Sequence, residues 1–275
     1  MEKKKAILRI LVGPFGANKV WTLGSENSTS PVIFFVGDQL ESKGTPPEIY
    51  QLQDPKNQVS ILAEKFPGSS VMVVVPSRLE AGFACFDHFL DKTTRCGEPL
   101  GYVGKTLTAS RQMESILSEG GAEFKNRTAG IKVLGFSKGG VVLNQLLAEM
   151  GSIRESLGVG NEGIRKDNAK IFEFLSSIRE MHYLDVGLHC RGGYLTDPRS
   201  LQGLGDFEVS VFLHGTPRQW KDVRRPWVLN EKNMSKALLR EEGVPVHEKL
   251  YLENESPGLA MHFNILTEFD PGIQD

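Results

Sequence analysis

Cysteine is scarce: Cys85, Cys96 and Cys190 are all that 275 residues supply. An odd count with no CxxC spacing argues against a disulfide framework and a cysteine-rich zinc site, and favours a reducing compartment. Long apolar runs are missing too. None approaches the roughly 18 residues of a membrane-spanning helix, so no membrane span is expected. Nor is there a block of one charge sign. The formal net charge of −2 is spread along the chain, which leaves no footprint for nucleic acid or an anionic membrane. No internal repeat or low-complexity tract occurs. The opening MEKKKAILRILVGPFGANK is basic, but its apolar stretch is short and alternates with charge. It reads as a first β-strand rather than a signal peptide, and taken alone it predicts a cytoplasmic protein.

What is present is the balance of an ordinary soluble globular chain, with 40% hydrophobic and 24% charged residues, expected to fold as one large domain. Short β-branched runs alternate with helical patterns, which predicts an α/β fold with a mostly parallel central sheet and helices on both faces. Ala6 to Val12 and Lys19 to Leu23 read as a hairpin around GPFGAN. Buried strands are expected at Pro31 to Val36, Ser70 to Val75, Ile131 to Phe136, His182 to Val186, Glu208 to Leu213 and Val246 to Leu252. Helices are expected over Asp54 to Phe66, Lys105 to Glu119, Lys138 to Met150, Ala169 to Met181 and Glu231 to Glu242. Residues 151–167 are polar and glycine-containing, and read as a surface insertion.

The stretch IKVLGFSKGG, from Ile131 to Gly140, carries the chemistry. An apolar strand must reverse into a helix within about two residues, which strains the turn residue and lifts the Ser137 side chain clear of the sheet. Gly135 and Gly139 let strand and helix approach without Cβ clashes, completing G-x-S-x-G. The competing account of Ser137 is a helix cap. Gly104-Lys105-Thr106 spells the end of a phosphate-binding loop, but Pro99 stands where that loop needs glycine. No motif calls for a cofactor or metal.

A serine nucleophile needs a base and an acid that orients the base, in the chain order serine, acid, histidine. Of six histidines, only His262 follows the last predicted strand, in a loop ahead of a closing helix. Two acids compete. Asp185 emerges from the apolar run HYLDV, where an unpaired carboxylate is hard to accommodate. Asp222 follows the next strand, the commoner place for such an acid, but lies later than usual, with Pro217 or Arg218 where the acid would stand. Donors for a developing oxyanion are expected from the backbone N–H groups of Lys138 and, in the loop after the Val32 to Val36 strand, Asp38. Phe83, Phe86 and Phe89 are candidates for an acyl pocket and equally for plain core.

The stretches FFVGDQL, SILAEKFPGSSVMVV, VLGFSKGGVVLNQLLAE, FLSSIREMHYLD and MHFNIL resemble a eukaryotic family exemplified by the human protein of chromosome 2 open reading frame 69. The resemblance spans about Val32 to Leu266. It implies an α/β-hydrolase-like fold, a serine nucleophile at Ser137 and an association with mitochondria, although no N-terminal presequence is visible. Two function classes follow. One is a serine hydrolase acting on a small-molecule ester, thioester or amide through Ser137, His262 and Asp185 or Asp222. The other is a hydrolase-like scaffold without turnover that serves as a binding or regulatory protein.

Overall fold

The computed structural model describes residues 5–25, 27–40, 44–156 and 166–274. Its strands are β1 (Ile7–Gly13), β2 (Gly16–Leu23), β3 (Pro31–Phe35), β4 (Ser70–Val74) and β5 (Arg78–Glu80). They continue with β6 (Phe83–Cys85), β7 (Ile131–Phe136), β8 (Ile178–Leu184), β9 (Ser210–Gly215) and β10 (Val246–Leu250). The helices are α1 (Pro47–Gln53), α2 (Pro55–Lys65), α3 (Thr108–Glu119), α4 (Gly140–Ser156) and α5 (Lys166–Ser176). After them come α6 (Pro198–Leu201), α7 (Pro217–Trp220), α8 (Pro226–Glu241) and α9 (Leu259–Glu268).

Eight strands form one sheet in the order β1-β2-β4-β3-β7-β8-β9-β10, while β5 and β6 make a separate small hairpin. The β1–β2 and β2–β4 pairs are antiparallel and every other pair in that sheet is parallel. Every residue of β3 and β4 is buried, so the sheet centre is covered on both sides. This explains their uninterrupted apolar runs, PVIFF and SVMVV. Helices α1, α2 and α9 contact one another, while α3, α4, α5 and α6 form a second group that shares no strong contact with them. The chain winds from β3 to β4 in one direction and from β7 to β10 in the other. The adjacent ends of β3 and β7 therefore mark the point where strand order reverses, which is where open α/β sheets place ligands.

Three expectations change. The helix predicted to run to Met181 ends at Ser176, and β8 begins at Ile178, earlier than the predicted His182. A turn from Ser177 N–H to Phe174 O ends the helix, and Ser177 O then accepts from Ile131 N–H to start the sheet register. The apolar spacing runs through this break without interruption, which hides it in the sequence. Residues 151–156 of the predicted insertion continue α4, residues 166 and 167 open α5, and residues 157–165 lie outside the described residues. The segment between β4 and α3, for which no regular element is expected, contains the β5–β6 hairpin. Just beyond it Phe86 and Phe89 pack edge-on against Phe35, with ring centroids 5.6 and 5.0 Å away.

Candidate active site

Ser137 directly follows β7 and opens a single 3-10 turn, Ser137–Gly139, that leads into α4. Its φ is +52°, a left-handed conformation that costs a residue with a Cβ on the order of 1–2 kcal/mol. The N-cap position of this turn is held by Phe136, so Ser137 stands inside the turn and does not occupy its cap. The flanking glycines are required by contact. A Cβ on Gly135 would lie 2.7 Å from Gly140 N, and one on Gly139 would run into Phe35 O. Two further glycines complete the packing without belonging to the motif. A Cβ on Gly37 would sit 2.8 Å from Ser137 Cβ, and one on Gly140 would strike Val186. The chain just past β3 thus presses its backbone directly against the serine.

Asp185 is the first residue after β8, fully buried, with a left-handed φ of +47°. Its Oδ2 lies 2.7 Å from His262 Nδ1. Thr216, just past β9, donates its N–H to Asp185 Oδ1 at 2.7 Å and its hydroxyl to Oδ2 at 3.0 Å. Gln219 in α7 donates to the Asp185 carbonyl at 3.1 Å. Burying a carboxylate costs several kcal/mol unless hydrogen bonds surround it, and Thr216 and His262 supply them. Thr216 and Gln219 carry no motif; the only hint in the sequence is a Thr-Pro pair at the end of an apolar strand.

His262 belongs to the first turn of α9 and not to the loop predicted before it. The helix starts right after Gly258, earlier than expected, and brings His262 to the C-terminal edge of the sheet. The ring stacks on Phe136 at 4.6 Å, which fixes its plane while Asp185 takes Nδ1. Neither Ser137 Oγ nor His262 Nε2 has a hydrogen-bond partner among the described residues, and both side chains line one cavity of about 110 Å³. Its other lining includes Asp38, Leu40, Leu188, Leu259 and Phe263. Phe83, Phe86 and Phe89 do not line it: the last two are core, and Phe83 lies under Lys138.

The remaining candidates are also placed. Asp222 lies in the loop after α7, where its oxygens are held by Arg224 Nε at 3.1 Å and Arg225 Nε at 3.0 Å, while His262 takes Asp185 instead. These guanidinium groups hold the Asp222 carboxyl well below the usual carboxylate range. The Lys138 side chain is buried, with Nζ bonded to Cys96 O, 3.3 Å from Glu98 and over the Phe83 ring. It ties the segment after the β5–β6 hairpin to the serine turn. Asp38 lines the cavity, and its Oδ1 accepts from Ala84 N–H at 2.7 Å. Burial pushes its carboxyl up, and the nearby Lys138 partly offsets that. His189 lines the cavity, whereas His182 and His214 are buried together on β8 and β9, their ring nitrogens 3.1 Å apart. Burial lowers the pKa of both. Among the described residues no cluster of histidine, cysteine or carboxylate side chains is arranged to hold a metal ion.

This sheet order, with its antiparallel opening and parallel remainder, is that of the α/β-hydrolase fold. A Klebsiella pneumoniae protein assigned as a dienelactone hydrolase superimposes with a TM-score of 0.51 at 9% identity, over 97% of this chain and 96% of that one. Acylaminoacyl peptidase from Pyrococcus horikoshii gives 0.51 at 13% identity, over 98% of this chain and 40% of that one. Within that class the chain belongs to the C2orf69 family, whose model matches residues 100–245. The mouse protein named mitochondrial protein C2orf69 homolog is 28% identical over 92% of this chain and 82% of its own length. The human mitochondrial protein C2orf69 is 28% identical over 85% of this chain and 72% of its own. No helix among the described residues is long and apolar enough to cross a membrane.

Proposed function

We propose that the protein is a serine hydrolase in which Ser137 attacks an ester, thioester or amide carbonyl. The observation that carries this reading is the 2.7 Å contact between Asp185 and His262 at the wall of the cavity that holds Ser137. With Nδ1 donating to Asp185, His262 keeps Nε2 unprotonated and available. It takes the Ser137 proton as Oγ bonds to the carbonyl carbon, then returns it to the leaving group as the acyl-enzyme forms. Water, deprotonated by the same nitrogen, releases the acid and restores the serine. Lys138 N–H lies in the first turn after the serine, where helical N–H groups have no internal partner. With Asp38 N–H, from the segment that presses on Ser137, it would meet the oxyanion.

The cavity, about 110 Å³, is smaller than the roughly 300 Å³ or more that engulfs a drug-sized ligand. It suits the reacting group and a short acyl chain, with the rest of the substrate outside. The relatives' names support a mitochondrial setting for this chemistry. The test is labelling of the purified protein by a fluorophosphonate. Labelling of the wild type and none of Ser137→Ala is expected; a folded wild type that stays unlabelled would favour the non-catalytic scaffold instead.

A further inference from the structure

Arg218 lies in α7, two residues beyond the Thr216 that holds Asp185, and lines the same cavity as Ser137 and His262. It is partly buried, its Nε is shielded from solvent without a partner, and it makes no hydrogen bond or ion pair among the described residues. A guanidinium does not escape this by losing its proton, and it carries five donors in a planar fork. Its neighbours are already committed. Both oxygens of Asp222 serve Arg224 and Arg225, and Gln219 Oε1 accepts from Arg225 at 2.7 Å. Glu98, which also lines the cavity, faces Lys138 at 3.3 Å.

A second opening, lined by His189, Arg218, Asp222, Arg224 and Arg225, adjoins the first and shares His189, Arg218 and Arg225 with it. The arginines there outnumber the single aspartate, so this rim carries uncompensated positive charge. Burial, and then the proximity of Arg225, disfavour the charged form of Arg218, and Asp185 and Asp222 only partly offset them.

We infer that Arg218 receives an anionic group, a carboxylate or phosphate, on the substrate whose carbonyl Ser137 attacks. The inference rests on the serine hydrolase reading and names its substrate class: a short acyl compound with an anionic terminus, its reacting carbonyl in the small cavity and its charge on the arginine rim. A planar fork engages two oxygens of such a group at once, which fixes the carbonyl's position as well as adding affinity.

The test uses three fluorophosphonates on one short alkyl chain, ending in a methyl ester, a carboxylate or a phosphate. A charge-assisted contact predicts labelling of the wild type roughly tenfold to a hundredfold faster with an anionic probe than with the neutral one. The two anionic probes tell carboxylate from phosphate. In Arg218→Gln the ratio of anionic to neutral rate falls to about one, in Arg218→Lys it is intermediate, and in the wild type it shrinks as salt is raised. Equal rates for all three probes in the wild type overturn the anion site while leaving the hydrolase reading intact, and so does a ratio that survives Arg218→Gln. If no probe labels Ser137, the hydrolase reading fails and the inference falls with it.

Discussion

Asp185→Asn replaces one carboxylate oxygen by an NH2 group at a position surrounded by donors. Oδ1 accepts from Thr216 N–H at 2.7 Å, while Oδ2 accepts from the Thr216 hydroxyl at 3.0 Å and faces His262 Nδ1 at 2.7 Å. The amide oxygen can serve only one side. If it keeps Thr216 N–H, the NH2 points at Nδ1, which must then accept a hydrogen bond instead of donating one. The imidazole proton moves to Nε2, the nitrogen that receives the proton of Ser137 in the proposed mechanism. A wrong tautomer in an otherwise intact triad costs about 10⁴-fold in rate, or roughly 5 kcal/mol of barrier at about 1.36 kcal/mol per decade. The folded state loses a charge-assisted hydrogen bond, on the order of 1.5–3 kcal/mol, less than the stability of a typical domain. The assay is the rate of fluorophosphonate labelling beside a thermal melt of the same sample. Folded Asp185→Asn that labels at the wild-type rate refutes the role of Asp185. So does an equal loss in Asp222→Asn, whose carboxylate serves arginines and not His262.

Other consequences are separately measurable. At position 137, where φ is +52°, glycine relieves strain and alanine does not. Ser137→Gly should therefore melt higher than Ser137→Ala by about 1 kcal/mol of stability, the reverse of their usual order in regular structure. Gly37→Ala pushes a Cβ to 2.8 Å from Ser137 Cβ and 2.9 Å from the Phe136 ring. It should cost about 1–3 kcal/mol by denaturant titration and slow labelling of Ser137. Glu149 is fully buried in α4 and accepts from Ala109 N–H at 2.8 Å, Ser110 N–H at 2.7 Å and Gln145 at 2.9 Å, with the Ser110 hydroxyl as a fourth donor. Burial outweighs these donors and raises its carboxyl from 4.5 to about 7. A carboxyl raised on folding holds its proton more tightly in the folded chain, so its contribution is full below about pH 4.5 and is lost as pH rises to about 7. That loss is on the order of 3 kcal/mol. Glu149→Gln should flatten this slope in unfolding titrations across pH; an unchanged slope would assign it to other groups.

The parts of the fold legible in the sequence are those in which a local rule and the fold agree. PVIFF and SVMVV read as buried strands because both faces of a central parallel strand are covered. GFSKG reads as a sharp turn because its glycines meet backbone across it. The helix-to-strand boundary at Ser177 is hidden because apolar spacing continues across it, and the three-residue strands β5 and β6 are too short for any periodicity to register. His262 is visible as a residue but misplaced by element, because the Pro-Gly before α9 resembles a loop and also starts a helix.

The choice between Asp185 and Asp222 as partner of His262 shows where local rules run out. By strand order, the end of β9 is the commoner place for the carboxylate, and the sequence offers Thr216 and Pro217 in its stead. In the folded chain Thr216 turns its N–H and its hydroxyl from that place toward the carboxylate one strand further in. Asp185 and Thr216 are neighbours only because β8 and β9 pair in parallel, with Leu184 opposite His214. The lone aspartate at the end of an apolar run is therefore a sound signal of pairing, but its partners are set by sheet register, which no spacing along the chain encodes. If that register carries the site, Thr216→Val, which keeps the N–H donor and removes the hydroxyl, should slow labelling far less than Asp185→Asn. A loss as large as that of Asp185→Asn would mean that the hydroxyl, and not the charge on Asp185, holds His262 in place.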